Sequence, residues 1–205
     1  MSTKTIRRAL SLAMVPLALA AAPASAQPAA GAAEPPQAAP PPPDETREET
    51  LERLHAALAA AAEQDAERIA REIQGVWARS GSDSMDLLLN RGRNAMERED
   101  FEAARAHLSA VTRLAPDFAE GWNALATLSY LQKDYGAAVA YIERVLALEP
   151  RHFSALTGLA LSLEVVGRKD AAMQAWRRVE ALYPTLENAQ EGIERLSVEV
   201  EGRSL

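Results

Sequence analysis

Residues 119–152 read AEGWNALATLSYLQKDYGAAVAYIERVLALEPRH, and the order of large and small residues in that stretch recurs 34 positions earlier and 34 positions later. Pro116, Pro150 and Pro184 mark the period. With each proline at position 32, three ungapped units span 85–118, 119–152 and 153–186. Position 4 is then Leu88, Trp122 and Leu156, and position 8 is Gly92, Ala126 and Ala160. Position 20 is Ala104, Ala138 and Ala172, position 24 is Leu108, Ile142 and Trp176, and position 27 is Val111, Val145 and Val179. A fixed period of this length marks stacked helix-turn-helix units, each burying its apolar face against its neighbours.

Within a unit the apolar residues recur at helical spacing near positions 4–11 and again near 17–30, which gives two helices, A and B. Small residues at positions 8 and 20 let the two backbones approach, and bulky ones at 4, 7, 24 and 27 fill the space beside the crossing. Asp100 and Asp134 stand just before helix B as N-cap acceptors, and Gly167 takes that region in the third unit, where it suits a helix end. Each proline closes helix B, because its ring clashes with continued helix and its nitrogen carries no proton. Asp117 and Glu120 have the spacing of a capping box at the start of the second helix A. Arg91 and Lys169 depart from the apolar pattern, near the two ends of the stack.

This order of residues resembles the tetratricopeptide repeat (TPR) family. The resemblance implies an all-α fold, a right-handed superhelical stack of three clear repeats. One period upstream the pattern half-fits: Leu54, Leu58 and Ala61 on a first helix, Ala70, Ile73 and Trp77 on a second. Residues 45–84 therefore read as a degenerate leading repeat covering the first full one, with Trp77 as its anchor, or as a plain helical hairpin. Residues 187–205 hold Ile193, Leu196 and Val200 at helical spacing, a capping helix and tail for the open end. The stretch from Ser80 through Met85-Asp86-Leu87-Leu88-Leu89 to Arg91-Gly92 is also similar to small exported TPR proteins of Gram-negative bacteria.

Upstream, residues 1–26 have the form of a secretory signal. Lys4, Arg7 and Arg8 are followed by an apolar run from Ala9 to Ala22 and by Ala24-Ser25-Ala26, a small-residue cleavage site. The run is shorter than the roughly 20 residues a membrane-spanning helix needs, which favours cleavage over a retained anchor. Residues 27–44 are rich in Ala and Pro and read as a disordered linker. The chain has no cysteine, so neither lipoprotein acylation nor a disulfide is available. Without the signal, 19 basic residues face 29 acidic ones, a balance that disfavours nucleic acid and anionic membrane surfaces as partners. The expected compartment is the periplasm.

No catalytic constellation emerges. His55, His107 and His152 fall in different units with no second histidine within a helical turn, and they read as solvated or half-buried side chains. The acids Asp44, Glu45, Glu48, Glu49 and Glu52 suit a helix N-terminus better than a cation site. No cofactor or metal is expected, and the chain reads as no enzyme.

The resemblance implies instead a binding scaffold whose concave face, lined by helix A, holds a protein or peptide partner. Positions 2, 5, 9 and 12 place Leu89, Arg93 and Met96 on that face in the first repeat, Asn123, Thr127 and Tyr130 in the second, Thr157 and Leu161 in the third. Tyr130 and Leu161 read equally well as inter-repeat core. The carboxylate-clamp subgroup would need cations or amides where Leu89, Arg93, Ala124, Ser154 and Gly158 stand; only Arg93 is cationic, so an acidic chain terminus is not the expected ligand. The alternatives are a self-associating structural envelope protein, or an accessory subunit of an envelope enzyme complex. The chain is expected to be a monomer or a weak homo-oligomer.

Overall fold

A computed structural model describes residues 45–201, with side chains through Glu199. The expected signal, the Ala/Pro-rich linker, Asp44 and the end of the tail lie outside the described residues. Within them the fold is all-helical. The elements are α1 (Arg47–Ala60), α2 (Glu63–Trp77), α3 (Asp83–Glu97), α4 (Phe101–Leu114), α5 (Ala119–Leu131), α6 (Tyr135–Leu148), α7 (Phe153–Val165), α8 (Lys169–Leu182) and α9 (Glu187–Glu201). The three repeats are the pairs α3–α4, α5–α6 and α7–α8, stacked in order, with α9 packed on α8.

The repeat register is the core. Ala104, Ala138 and Ala172 have no exposed surface, nor do Val111, Val145 and Val179, while Leu108, Ile142 and Trp176 beside them are buried. Gly92 shows why position 8 is small: a Cβ there would stand 2.4 Å from Leu108 Cδ2. Asp100 and Asp134 cap α4 and α6, accepting from Ala103 N–H at 3.1 Å and Ala137 N–H at 3.0 Å. Each A-to-B turn passes through one left-handed residue, Glu99 (φ 58°), Lys133 (φ 62°) and Gly167 (φ 76°). Only the third repeat fills that place with the residue that adopts it without strain. Every B helix ends two residues before its proline.

Two expectations are corrected here. Asp117 and Glu120 form no capping box: the N-cap of α5 is Phe118, whose side chain has no polar atom to cap with, and Glu120 turns inward to other partners. The reciprocal box occurs instead at Thr46 and Glu49 on α1. The departures from the pattern are accommodated at the ends, Arg91 exposed and Lys169 paired with Glu199 of α9.

The larger correction concerns residues 45–84. They form a helical hairpin, α1–α2, whose apolar faces make a small core of their own from Leu51, Leu54, Leu58, Ile69, Ile73 and Trp77. That core continues into Phe153, Tyr183, Leu182 and Leu186 of the third repeat and includes no residue of α3 or α4. The hairpin thus does not cover the first repeat. It reaches across to the start of α7 and the end of α8. The reason is the aromatic seat there. Trp77 stacks on His152 with centroids 3.9 Å apart and 13° between planes, and it meets Phe153 at 5.0 Å; Phe153 in turn lies edge-on to Tyr183 at 5.6 Å. No comparable aromatic surface is offered by α3.

Candidate functional site

The A helices α3, α5 and α7 are neighbours along the stack, and their stripes follow the spacing of three and four. Between α5 and α7 lies a pocket of about 210 Å³ lined by Asn123, Thr127 and Tyr130 on one side, Thr157, Gly158 and Leu161 on the other, and Ile142 beneath. Five residues expected on the groove thus meet there: Asn123, Thr127, Tyr130, Thr157 and Leu161. The pocket exists because Ala126 and Gly158 leave room over Ile142 Cδ1, which an added Cβ on Gly158 would approach to 3.4 Å. Its hydroxyls turn away from the opening. Thr127 donates to Asn123 C=O, Thr157 to Phe153 C=O and Ser162 to Gly158 C=O, so the threonine methyls are left to line an apolar wall. Leu161 is 36% exposed, and Tyr130 is half-buried, braced edge-on against Tyr135 at 5.5 Å. Neither is closed into the inter-repeat core.

The first repeat contributes less than its register suggests. Leu89 is 1% exposed and packs with Leu108 and Leu125 in the core, so it presents nothing to a ligand. Met96 is half-buried against the same cluster. Arg93 faces a second, polar chamber of about 340 Å³ shared with Gln74, Trp77, Glu120, Asn123, His152 and Ser154. It is not a free cation, because its guanidinium is paired with the Glu120 carboxylate.

That carboxylate is the centre of a network that sequence reasoning missed. Glu120 is 6% exposed and accepts from Arg93, from Asn123 Nδ2 at 3.1 Å and from His152 Nε2 at 2.9 Å. His152 Nδ1 accepts from Ala155 N–H at 3.2 Å as the N-cap of α7, so the proton sits on Nε2 and is donated to Glu120. Burial opposes the charge on Glu120, but the bonds from His152 and Asn123 and the Arg93 cation outweigh it and hold the carboxyl below its ordinary range. His152 was expected to be solvated or half-buried; it is 1% exposed. A signal was present in the register: position 34 holds Phe118 and Leu186 in neighbouring units, and a histidine standing where apolar residues recur is itself buried.

His55 is likewise buried, 5% exposed, with neither ring nitrogen hydrogen-bonded. Desolvation, reinforced by the nearby Arg151 cation, pushes its pKa down to about 4. His107 is half-buried on α4. The acids at the start of α1 have protein partners: Glu45 with Arg53 at 3.0 Å, Glu49 with Thr46, and Glu52 with Arg151 at 2.7 Å. Among the described residues no three acidic, histidine or cysteine side chains gather as a metal site.

Residues 89–147 and 132–187 match the family described as Tetratricopeptide repeat. A TPR repeat-containing protein of Rhizobium etli is 35% identical over 195 residues, covering 95% of both chains. Among solved structures, the chain is similar to the first TPR domain of Spaghetti (RPAP3) bound to an HSP90 peptide, with a TM-score of 0.57, 15% identity, and coverage of 58% of this chain and 95% of that one. It is also similar to the crystal structure of MamA, with a TM-score of 0.54, 18% identity, and coverage of 76% and 82%. At these identities the structural likenesses speak to the fold.

Proposed function

The chain belongs to the tetratricopeptide repeat family, and from that premise we propose that it is an exported, non-catalytic scaffold that holds a partner peptide or helix in the groove between α5 and α7. One observation carries the reading: the A-helix face keeps an unfilled pocket whose apolar wall, Leu161 and the threonine methyls, is set beside Tyr130 and Asn123. An apolar partner side chain fits such a wall. The Tyr130 ring offers it contact area with little rotamer entropy to lose, while its hydroxyl stays hydrated. The Asn123 amide nitrogen is engaged by Glu120, which leaves its carbonyl oxygen to accept a partner backbone N–H.

The RPAP3 neighbour, bound to an HSP90 peptide, supports peptide capture by this architecture. The ligand class differs here, because Leu89 is buried and the only cation of the chamber, Arg93, is committed to Glu120. A periplasmic location rests on Lys4, Arg7, Arg8 and the Ala24-Ser25-Ala26 site. No described helix is long and apolar enough to cross a membrane. The test is capture from an envelope fraction by the tagged mature protein. Asn123→Ala combined with Tyr130→Ala should lower recovery of the captured partner at least tenfold while the melting temperature stays within a degree or two. Unchanged recovery moves the site off this face.

A further inference from the structure

The polar chamber is not walled by the repeats alone. Gln74 and Trp77 of α2 line it too, together with Arg93, Asn123 and Ser154 of the repeats. We infer that the α1–α2 hairpin is a hinged lid over the polar end of the groove, latched by Trp77, and that it opens as a unit while the repeat stack stays folded. This regulatory role builds on the groove reading above, but its mechanics stand on separate observations.

The hairpin's apolar core continues into the repeats at Phe153, Tyr183, Leu182 and Leu186, and its Trp77 also stacks on His152. Its other links are surface contacts: Arg151–Glu52 at 2.7 Å, Arg47–Glu149 at 3.8 Å and Gln74 Nε2 to Ser154 Oγ at 3.4 Å. Exposed pairs of this kind contribute little each. Trp77 supplies the holding contact, flat against His152. The hinge is equally plain. Between α2 and α3 the chain passes Gly81 at φ 82°, with nothing within 4 Å of where a Cβ would be. Arg79, Ser80 and Gly81 border an open cavity of about 540 Å³, and Ser80 is anchored onward to Asp86 of α3 at 2.8 and 2.6 Å, which places the pivot before it. A segment that meets the rest of the domain at one seat, and is joined to it through a short turn, opens at lower free energy than the whole domain unfolds.

The latch also touches the site. The ring Trp77 covers belongs to His152, which donates to Glu120, which in turn fixes Arg93 and Asn123. Opening therefore bares the chamber and hydrates the network that orients Asn123.

Amide hydrogen exchange on the full chain tests this without any partner, so a failure of the lid and a failure of groove binding are read separately. Amides in the middle of α1 and α2 should exchange at least tenfold faster than those around Ala138 and Ala172. Bridging Gln74→Cys to Ser154→Cys with a short bismaleimide should remove that difference. In this cysteine-free chain a single Ser154→Cys thiol should label at least fivefold faster when Trp77→Ala is added, while a Thr157→Cys thiol changes less than twofold. Uniform protection across all helices, a Trp77→Ala variant that speeds exchange everywhere alike, or a Ser154→Cys rate indifferent to Trp77→Ala would each overturn the lid.

Discussion

Acid should loosen this protein through one buried histidine as the pH falls below 6.5. His55 lies on α1, buried beside Trp77 with ring centroids 5.8 Å apart, and neither nitrogen has a partner. Its surroundings hold the pKa at about 4 against an ordinary 6.5: burial leads, Arg151 and His152 add to it, and Glu52 opposes. A histidine kept neutral when folded takes up its proton first in the unfolded chain. Stability is therefore complete above the ordinary value, declines as pH falls through it, and stops declining once the folded form also protonates. Linkage between those two values removes about 2 kcal/mol on going from pH 7 to pH 5, and about 3 kcal/mol in full. Glu120 acts in the same sense, but below its ordinary value of 4.5, so it adds little between pH 7 and pH 5. Urea unfolding followed by far-ultraviolet dichroism at pH 7 and pH 5 measures the loss. His55→Phe, which keeps a ring and removes the basic nitrogens, should flatten it to under about 0.5 kcal/mol. Equal pH dependence in parent and variant would refute the argument.

Three further substitutions test the packing and the turns. Gly192→Ala would place a Cβ 2.7 Å from Cε2 and Nε1 of the buried Trp176 ring. Overpacking of about 1–3 kcal/mol should exceed the gain of about 1 kcal/mol in helix propensity, lowering the melting temperature and freeing α9 first. Gly75→Ala meets nothing within 4 Å; it should instead gain up to about 1 kcal/mol and melt higher. Lys133→Gly relieves a left-handed residue at φ 62°, worth about 1 kcal/mol, and should raise the melting temperature by about 2–4 °C in a thermal scan.

The repeat stack was legible because every unit states it again. Ala104, Ala138 and Ala172 each face a neighbouring helix, so one register error would have violated three contacts at once. The groove was legible in part for the same reason: Asn123, Thr127, Tyr130, Thr157 and Leu161 lie on stripes that helical spacing fixes. Leu89 was misread because the first repeat turns that position into its core against Leu108, where the later repeats keep the stripe open. Glu120 and His152 were missed because their significance is pairwise, spanning 32 residues, and spacing within one helix says nothing about a partner on the next. The hairpin was found, but its address was not. Periodicity predicts stacking on the nearest unit, whereas the seat was decided by three rings, His152, Phe153 and Tyr183, brought together only by the fold.

Stacks of this kind ordinarily assemble from any point, since each unit answers only to its neighbours. The fold-back of α1–α2 breaks that freedom by joining residues as far apart in sequence as Gln74 and Ser154. Trp77 leaves the ribosome well ahead of the rings that receive it, and its seat on His152 and Phe153 exists only once the third repeat has begun. The part of the domain made first is thus completed only after the third repeat has followed it, and its tryptophan serves as the molecule's own record that the chain has reached that point.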